Sequence, residues 1–229
     1  MFDIGESSVR RYEADVLEAD LPEPDLDNLE VLLVDEKSVR KGHGYVTVVL
    51  NGRTGELLHM AEGKKKESLE SFFATLSDLQ KASILAVCID RNGAYRSVLA
   101  EQIPKAEVVH DRFHIIANLN AAIDEVRRSE WRSAEAEGTK VIKGSRYLLM
   151  MGQENLDDAG IERLRELTRL NEKLSASYIL KEEFRLIYST TLSMDWAQKR
   201  MRQWCTTVEA SGIAPLIHFA KGLLRDLPA

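Results

Sequence analysis

Two apolar runs, each closed by an aspartate, constrain this chain most. Val31-Leu32-Leu33-Val34 ends in Asp35, and Ile84-Leu85-Ala86-Val87-Cys88-Ile89 ends in Asp90. Continuous apolar runs of this length read as strands buried on both faces, which favours a parallel or mixed α/β sheet with these two strands central and adjacent. Between them, Tyr45 to Leu50 and Glu56 to Ala61 alternate as strands around Asn51-Gly52-Arg53-Thr54-Gly55, whose Asn-Gly and second glycine suit the positive-φ positions of a turn. Leu69, Phe72, Phe73, Leu76 and Leu79 then recur at helical spacing, a helix is expected from Ala94 to Gln102, and Glu107-Val108-Val109 forms a last short strand. The order is a three-strand meander, then helix, strand, helix, strand.

After Phe113 only helical periods remain. Phe113, Ile116, Leu119, Ala122, Ile123 and Val126 make one stripe; further helices are expected over 161–174, 177–188 and 196–208, with a last one through Leu224 after the break at Ser211-Gly212-Ile213-Ala214-Pro215. Three segments follow: an acidic leader and linker over 1–29, an α/β core over 30–112 and an all-helical block over 113–229. The leader carries a possible helix over 5–20 and ends at the linker prolines Pro22 and Pro24.

Charge follows this division. Residues 1–30 hold ten acids against Arg10 and Arg11, so the whole-chain net charge of −6 leaves +2 for residues 31–229. The low isoelectric point therefore does not argue against a nucleic-acid partner, which responds to local basic clusters. Lys37, Arg40, Lys41 and His43, just past Asp35, and the run Lys64-Lys65-Lys66 are the densest such clusters, although a basic solvated loop has the same composition. Two distant cysteines, Cys88 and Cys205, supply neither a disulfide framework nor a four-cysteine zinc site. With no membrane-length apolar run and no signal peptide, a soluble cytoplasmic protein is expected, without membrane or small-molecule partners. Trp131, Trp196 and Trp204 read as core anchors.

Three chemistries use an apolar strand ending in carboxylate. A nucleotide triphosphatase needs a phosphate loop, and no Gly-x-x-x-x-Gly-Lys-Ser/Thr is present. A phosphoaspartyl enzyme places a second aspartate where Lys37 stands. Two-metal phosphodiester cleavage needs carboxylates on neighbouring strands, which Asp35 and Asp90 supply, though acids also end strands as turn and cap residues. Asp111 and His114, three apart after the last strand, are accessory candidates that could face the same side, although on the residues alone Asp111 reads more readily as a helix cap.

These residues resemble a known family. Leu33-Val34-Asp35-Glu36-Lys37-Ser38 with Lys41-Gly42-His43-Gly44-Tyr45, Ile89-Asp90 with Ala94-Tyr95-Arg96, and Val108-Val109-His110-Asp111-Arg112-Phe113-His114 are similar to the catalytic domain of bacterial DDE-type insertion-sequence transposases of the ISL-three family. Ser145-Arg146-Tyr147-Leu148-Leu149 and Tyr178-Ile179-Leu180-Lys181-Glu182 extend the resemblance into the helical half. It implies a ribonuclease H-like fold with a helical insertion, and DNA cleavage and strand transfer at transposon ends by a homo-oligomer at the nucleoid. Asp35 and Asp90 match the first two acids and would hold Mg²⁺ or Mn²⁺; Asp111 and His114 match an Asp-x-x-His element. Lys37, Arg40, Lys41 and Arg112 are the expected DNA contacts. The resemblance places the third acid in a Glu-Gly-x-Asn segment that is not found by residue 229, so weak metal binding is expected. An inactive, self-associating or inhibitory remnant is the alternative, and an unrelated α/β nuclease a weaker one.

Overall fold

In a computed structural model, residues 23–40, 44–90, 93–190 and 193–227 are described. The expected leader helix, Lys41 and His43 lie outside them. The chain divides into two compact units after Asp111.

The first unit is a five-stranded sheet with strand order β3-β2-β1-β4-β5. β1 (Val31–Arg40), β2 (Gly44–Asn51) and β3 (Leu57–Glu62) form the antiparallel meander, while β4 (Ala86–Ile89) and β5 (Glu107–His110) run parallel to β1. The helices of this unit are α1 (Lys66–Phe73), α2 (Asp78–Ser83) and α3 (Gly93–Gln102). Mixed pairing on one central strand with crossover helices is the expected ribonuclease H-like arrangement.

One sheet face is sealed. Leu32, Val34, Val49, Val87 and Ile89 are buried with Leu69, Phe72 and Phe73 of α1 and Tyr95, Val98 and Leu99 of α3. The two apolar runs are not buried on both faces as expected: Val31, Leu33, Ala86 and Cys88 are half-buried, and Leu85 is exposed. The single helix expected through Leu79 is two, because Ser77 starts a new one with a capping box to Gln80, and Leu79 then points to solvent at 85% exposure. The turn at 51–55 uses its glycines differently. Gly55 takes the positive φ of 77°, whereas Gly52 is required for space, since a Cβ there would lie 2.6 Å from Cγ1 of Val31.

The second unit is helical. Its main elements are α4 (Arg112–Ser133), α5 (Ala136–Ile142), α6 (Arg146–Met150), α7 (Asp158–Leu170), α8 (Glu172–Thr190), α9 (Met194–Ala210) and α10 (Ala214–Asp226). α4 buries Ile115, Leu119, Ile123 and Val126; Phe113, expected in this stripe, is 72% exposed, because the helix turns Ile115 inward instead. Gly212 at φ 68° and Pro215 in the first turn of α10 make the expected break. Trp204 is a core anchor, its ring 4.7 Å from that of Phe184 and its indole N–H donating to the Leu180 carbonyl at 2.8 Å. Trp131 and Trp196 are not, at 44% and 42% exposure.

Lys181 of α8 is fully buried. Its ammonium donates to the carbonyls of Leu149 (2.7 Å) and Met151 (2.5 Å) at the end of α6, pairs with Glu182 at 3.0 Å and lies 4.1 Å from the Tyr178 ring centroid. It thus satisfies helix-end carbonyls that have no partner within their own helix. Burial lowers its pKa, and Glu182 works against that.

Candidate active site

Register, rather than any local motif, assembles the carboxylates. Val34 pairs with Ile89 across β1 and β4, and Ile89 pairs with His110 across β4 and β5. Asp35 of β1 therefore comes level with Asp90 and Asp111, the residues that immediately follow β4 and β5, on strands about 4.8 Å apart. The Asp111 amide extends this pairing by donating to the Ile89 carbonyl at 2.9 Å. Val34 points into the core, so alternation along β1 turns Asp35 to the opposite face.

Asp35 is one-third exposed and held at both oxygens. Oδ1 accepts the Glu36 amide at 2.7 Å, and Oδ2 pairs with the Lys37 ammonium at 2.5 Å. Residues two apart on a strand share a face, so the Asp-x-Lys spacing already forecasts this contact. The Lys37 pKa is raised, mainly by its hydrogen bond and charge interaction with Asp35 and further by Asp111. Cys88, two residues before Asp90, lies in the same field: burial first, then Asp111 and Asp35, push its thiol pKa up. Asp35 and Asp111 thus act on one small region of the sheet end.

Behind the carboxylates the backbone is braced. Thr47, opposite Glu36 in the β1–β2 register, donates to the Gly63 carbonyl at 2.9 Å and shares a 2.7 Å hydrogen bond with the Tyr95 hydroxyl. Both side chains are buried, and burial foremost, with Glu36 and Asp35 adding to it, pushes the Tyr95 hydroxyl up to about 12. Arg96, the next residue of α3, donates to Nε2 of His110 at 2.8 Å. Sequence reasoning missed both braces, since partners 48 and 14 residues apart leave no periodic signal; the neighbours Tyr95 and Arg96 on one helix were the visible hint.

The remaining predicted residues are placed as follows. Arg40 ends β1. The Lys64–Lys66 run follows β3 at the same end of the sheet, with the Lys64 ammonium 3.9 Å from the Tyr45 ring centroid. Arg112 and His114 belong to α4 of the helical unit, Arg112 against the Tyr188 ring at 5.0 Å and His114 against Phe113 at 5.5 Å. Among the described residues no group of three or more His, Cys, Asp or Glu is arranged to hold a metal ion. Nor is any described helix long and apolar enough to cross a membrane.

A mixed 3-2-1-4-5 sheet with aspartates closing its two central parallel strands defines a ribonuclease H-like domain. Residues 32–227 match the model of the ISL3 family of DDE transposases, described as "Transposase". The chain belongs to that family. It is 33% identical over 234 residues to the transposase for insertion sequence element IS1001 of Bordetella parapertussis, covering 100% of this chain and 57% of the relative. It is 26% identical over 221 residues to the transposase for insertion sequence element IS1557 of Mycobacterium tuberculosis, covering 86% of this chain and 49% of the relative. The chain thus spans about half the length of these curated relatives.

Proposed function

We propose that Asp35 and Asp90 form the metal-holding part of a DNA strand-cleaving and strand-transferring site whose substrate is transposon-end DNA. The register that sets these carboxylates side by side on the two central parallel strands carries the reading. The naming of both relatives as insertion-sequence transposases supports it.

The donor set fits a divalent ion. Carboxylate oxygens suit Mg²⁺ and Mn²⁺, and a small octahedral shell usually takes only one or two of them, with water and substrate phosphate supplying the rest. Binding by these two residues is correspondingly weak. When bound, the metal supplies activation of the attacking water or 3′-hydroxyl and stabilisation of charge on the phosphodiester. The chain's own residues do the positioning. The Glu36 amide fixes the rotamer of Asp35, and the Tyr95–Thr47 bond ties α3 to β2 behind it. Lys37 pairs with Asp35 and brings a positive charge to where a scissile phosphate would lie, with Arg40, Lys41 and Arg112 as further backbone contacts. Asp111, third in the row, adds negative charge that favours cation entry, and it and His114 keep the accessory role that the Asp-x-x-His spacing suggests. Self-association belongs to the same reading, because strand transfer joins two element ends and a two-fold pair of protomers supplies one site to each. So does action at the nucleoid.

Mn²⁺ titration by calorimetry tests the site. Asp35→Asn and Asp90→Asn are each expected to weaken binding at least tenfold without changing the circular dichroism spectrum. Unchanged binding in both folded variants would sink the assignment. Metal-dependent nicking of transposon-end DNA that survives Asp90→Asn would refute its catalytic part.

A further inference from the structure

The helical unit carries a second charged device that the carboxylate row does not use. Asp124 of α4 is only 12% exposed, and three arginines converge on it. Arg127 Nε lies 2.8 Å from Oδ1, Arg128 Nε 3.3 Å from Oδ2 and Arg146 Nε 3.8 Å from Oδ1. One carboxylate balances one guanidinium, so the cluster keeps a surplus of two positive charges. Arg128 and Arg146 are about half exposed, at 53% and 55%. Their contacts to Asp124 run through Nε, which does not engage the two-NH₂ edge, the part of a guanidinium that matches phosphate oxygens.

The surroundings extend this charge. From Gly138 to Met150 the chain holds Lys140, Lys143 and Arg146 and no acid. Arg163 donates to the Lys143 carbonyl at 2.6 Å, placing another cation at the Gly144 turn, while the neighbouring Glu162 of α7 turns to Arg165 at 3.7 Å. Lys143 is exposed, and Tyr147, 71% exposed, has the Arg146 guanidinium 6.0 Å from its ring centroid. Arg146 is therefore pre-positioned between a carboxylate and an aromatic face, which lowers the entropy cost of binding an anion.

We propose that this face of the helical unit, built from Arg128, Arg146 and Lys143 around Asp124, binds the phosphate backbone of DNA. It rests on the DNA reading for its partner but shares no residue with the carboxylate site. If Asp124 merely staples α4 to the 144–146 turn, these residues support stability and not DNA affinity.

The test uses the whole 229-residue chain and a fluorescent random-sequence duplex, with anisotropy titrations between about 50 and 200 mM salt. Each phosphate contact contributes roughly 0.9 to the slope of log K against log salt. Arg128→Ala with Arg146→Ala should reduce that slope by about two, and Lys143→Ala, which removes no side-chain bond among the described residues, by about one. Arg128→Lys with Arg146→Lys should keep most of it. Wild-type slopes in a folded double-alanine variant, or in Lys143→Ala alone, would overturn the proposal while leaving the carboxylate site standing. A wild-type chain with no salt-dependent DNA binding would overturn both.

Discussion

Lys37→Ala should move metal and DNA binding in opposite directions. The Lys37 ammonium pairs with Oδ2 of Asp35, so a divalent ion binding there must displace it. The pair is solvent-screened, with the lysine side chain 66% and the aspartate 33% exposed, and breaking such a pair costs about 0.2–1 kcal/mol. Once displaced, the lysine still repels the ion: at about 10 Å in water a unit charge and a double charge interact by roughly 0.8 kcal/mol, less with salt. Removing Lys37 eliminates both penalties, and together they predict Mn²⁺ binding about five- to twentyfold tighter at low ionic strength, and less than that as salt is added. The same substitution deletes a phosphate contact, so the DNA salt slope should fall by about 0.9. Calorimetry with Mn²⁺ reads the first effect and fluorescence anisotropy the second, with Asp35→Asn as the reference that loses metal binding. Weaker or unchanged Mn²⁺ affinity in Lys37→Ala would refute the argument, because Lys37 would then not compete for Asp35.

Three further outcomes are expected. Lys181→Met keeps the buried stem but leaves the buried Leu149 carbonyl without its donor, while the Met151 carbonyl keeps the Tyr178 hydroxyl at 3.5 Å, which should cost about 1–3 kcal/mol in urea unfolding; a loss below 1 kcal/mol would contradict it. Gly52→Ala forces a Cβ against Val31 and should cost about 1–3 kcal/mol in the same assay, through overpacking and not backbone strain. Tyr95 and Tyr178 both have hydroxyls raised to about 12 by burial, from an ordinary value of 10. The folded chain therefore holds protons that the unfolded chain releases, so this stability is fully present below pH 10 and is lost between pH 10 and 12. Tyr95→Phe should flatten part of that decline, and an identical pH profile would rule the tyrosine out as a source.

What was legible in the sequence, and what was not, follows from the range of the interactions. The strands and most helices were visible because alternation and the 3.6-residue period are local, and the two apolar runs ending in Asp35 and Asp90 marked the central pair before any register was known. Errors arose where local pattern and packing disagree. Leu79 and Phe113 continue an apolar stripe in sequence, yet the capping box at Ser77 and the rotation of α4 turn both outward. Periodicity counts apolar residues and cannot say where a cap restarts a helix. Gly52 shows the same limit from the other side: its dipeptide signalled a positive φ, while the structure uses it for the close approach of Val31, a residue 21 positions away. The candidate site divides along this line. Asp35 and Lys37 could be paired from their spacing on one strand, but Thr47 with Tyr95 and Arg96 with His110 come together only through the sheet crossover. Those braces fix the strand ends in register, and a carboxylate displaced by even 1 Å would lose its share of an ion held at about 2.1 Å. The residues that decide whether the site works are thus partly those whose sequence shows no chemistry. A Tyr95→Phe variant that keeps its fold but binds Mn²⁺ more weakly would make that visible, because residue 95 offers the ion no ligand.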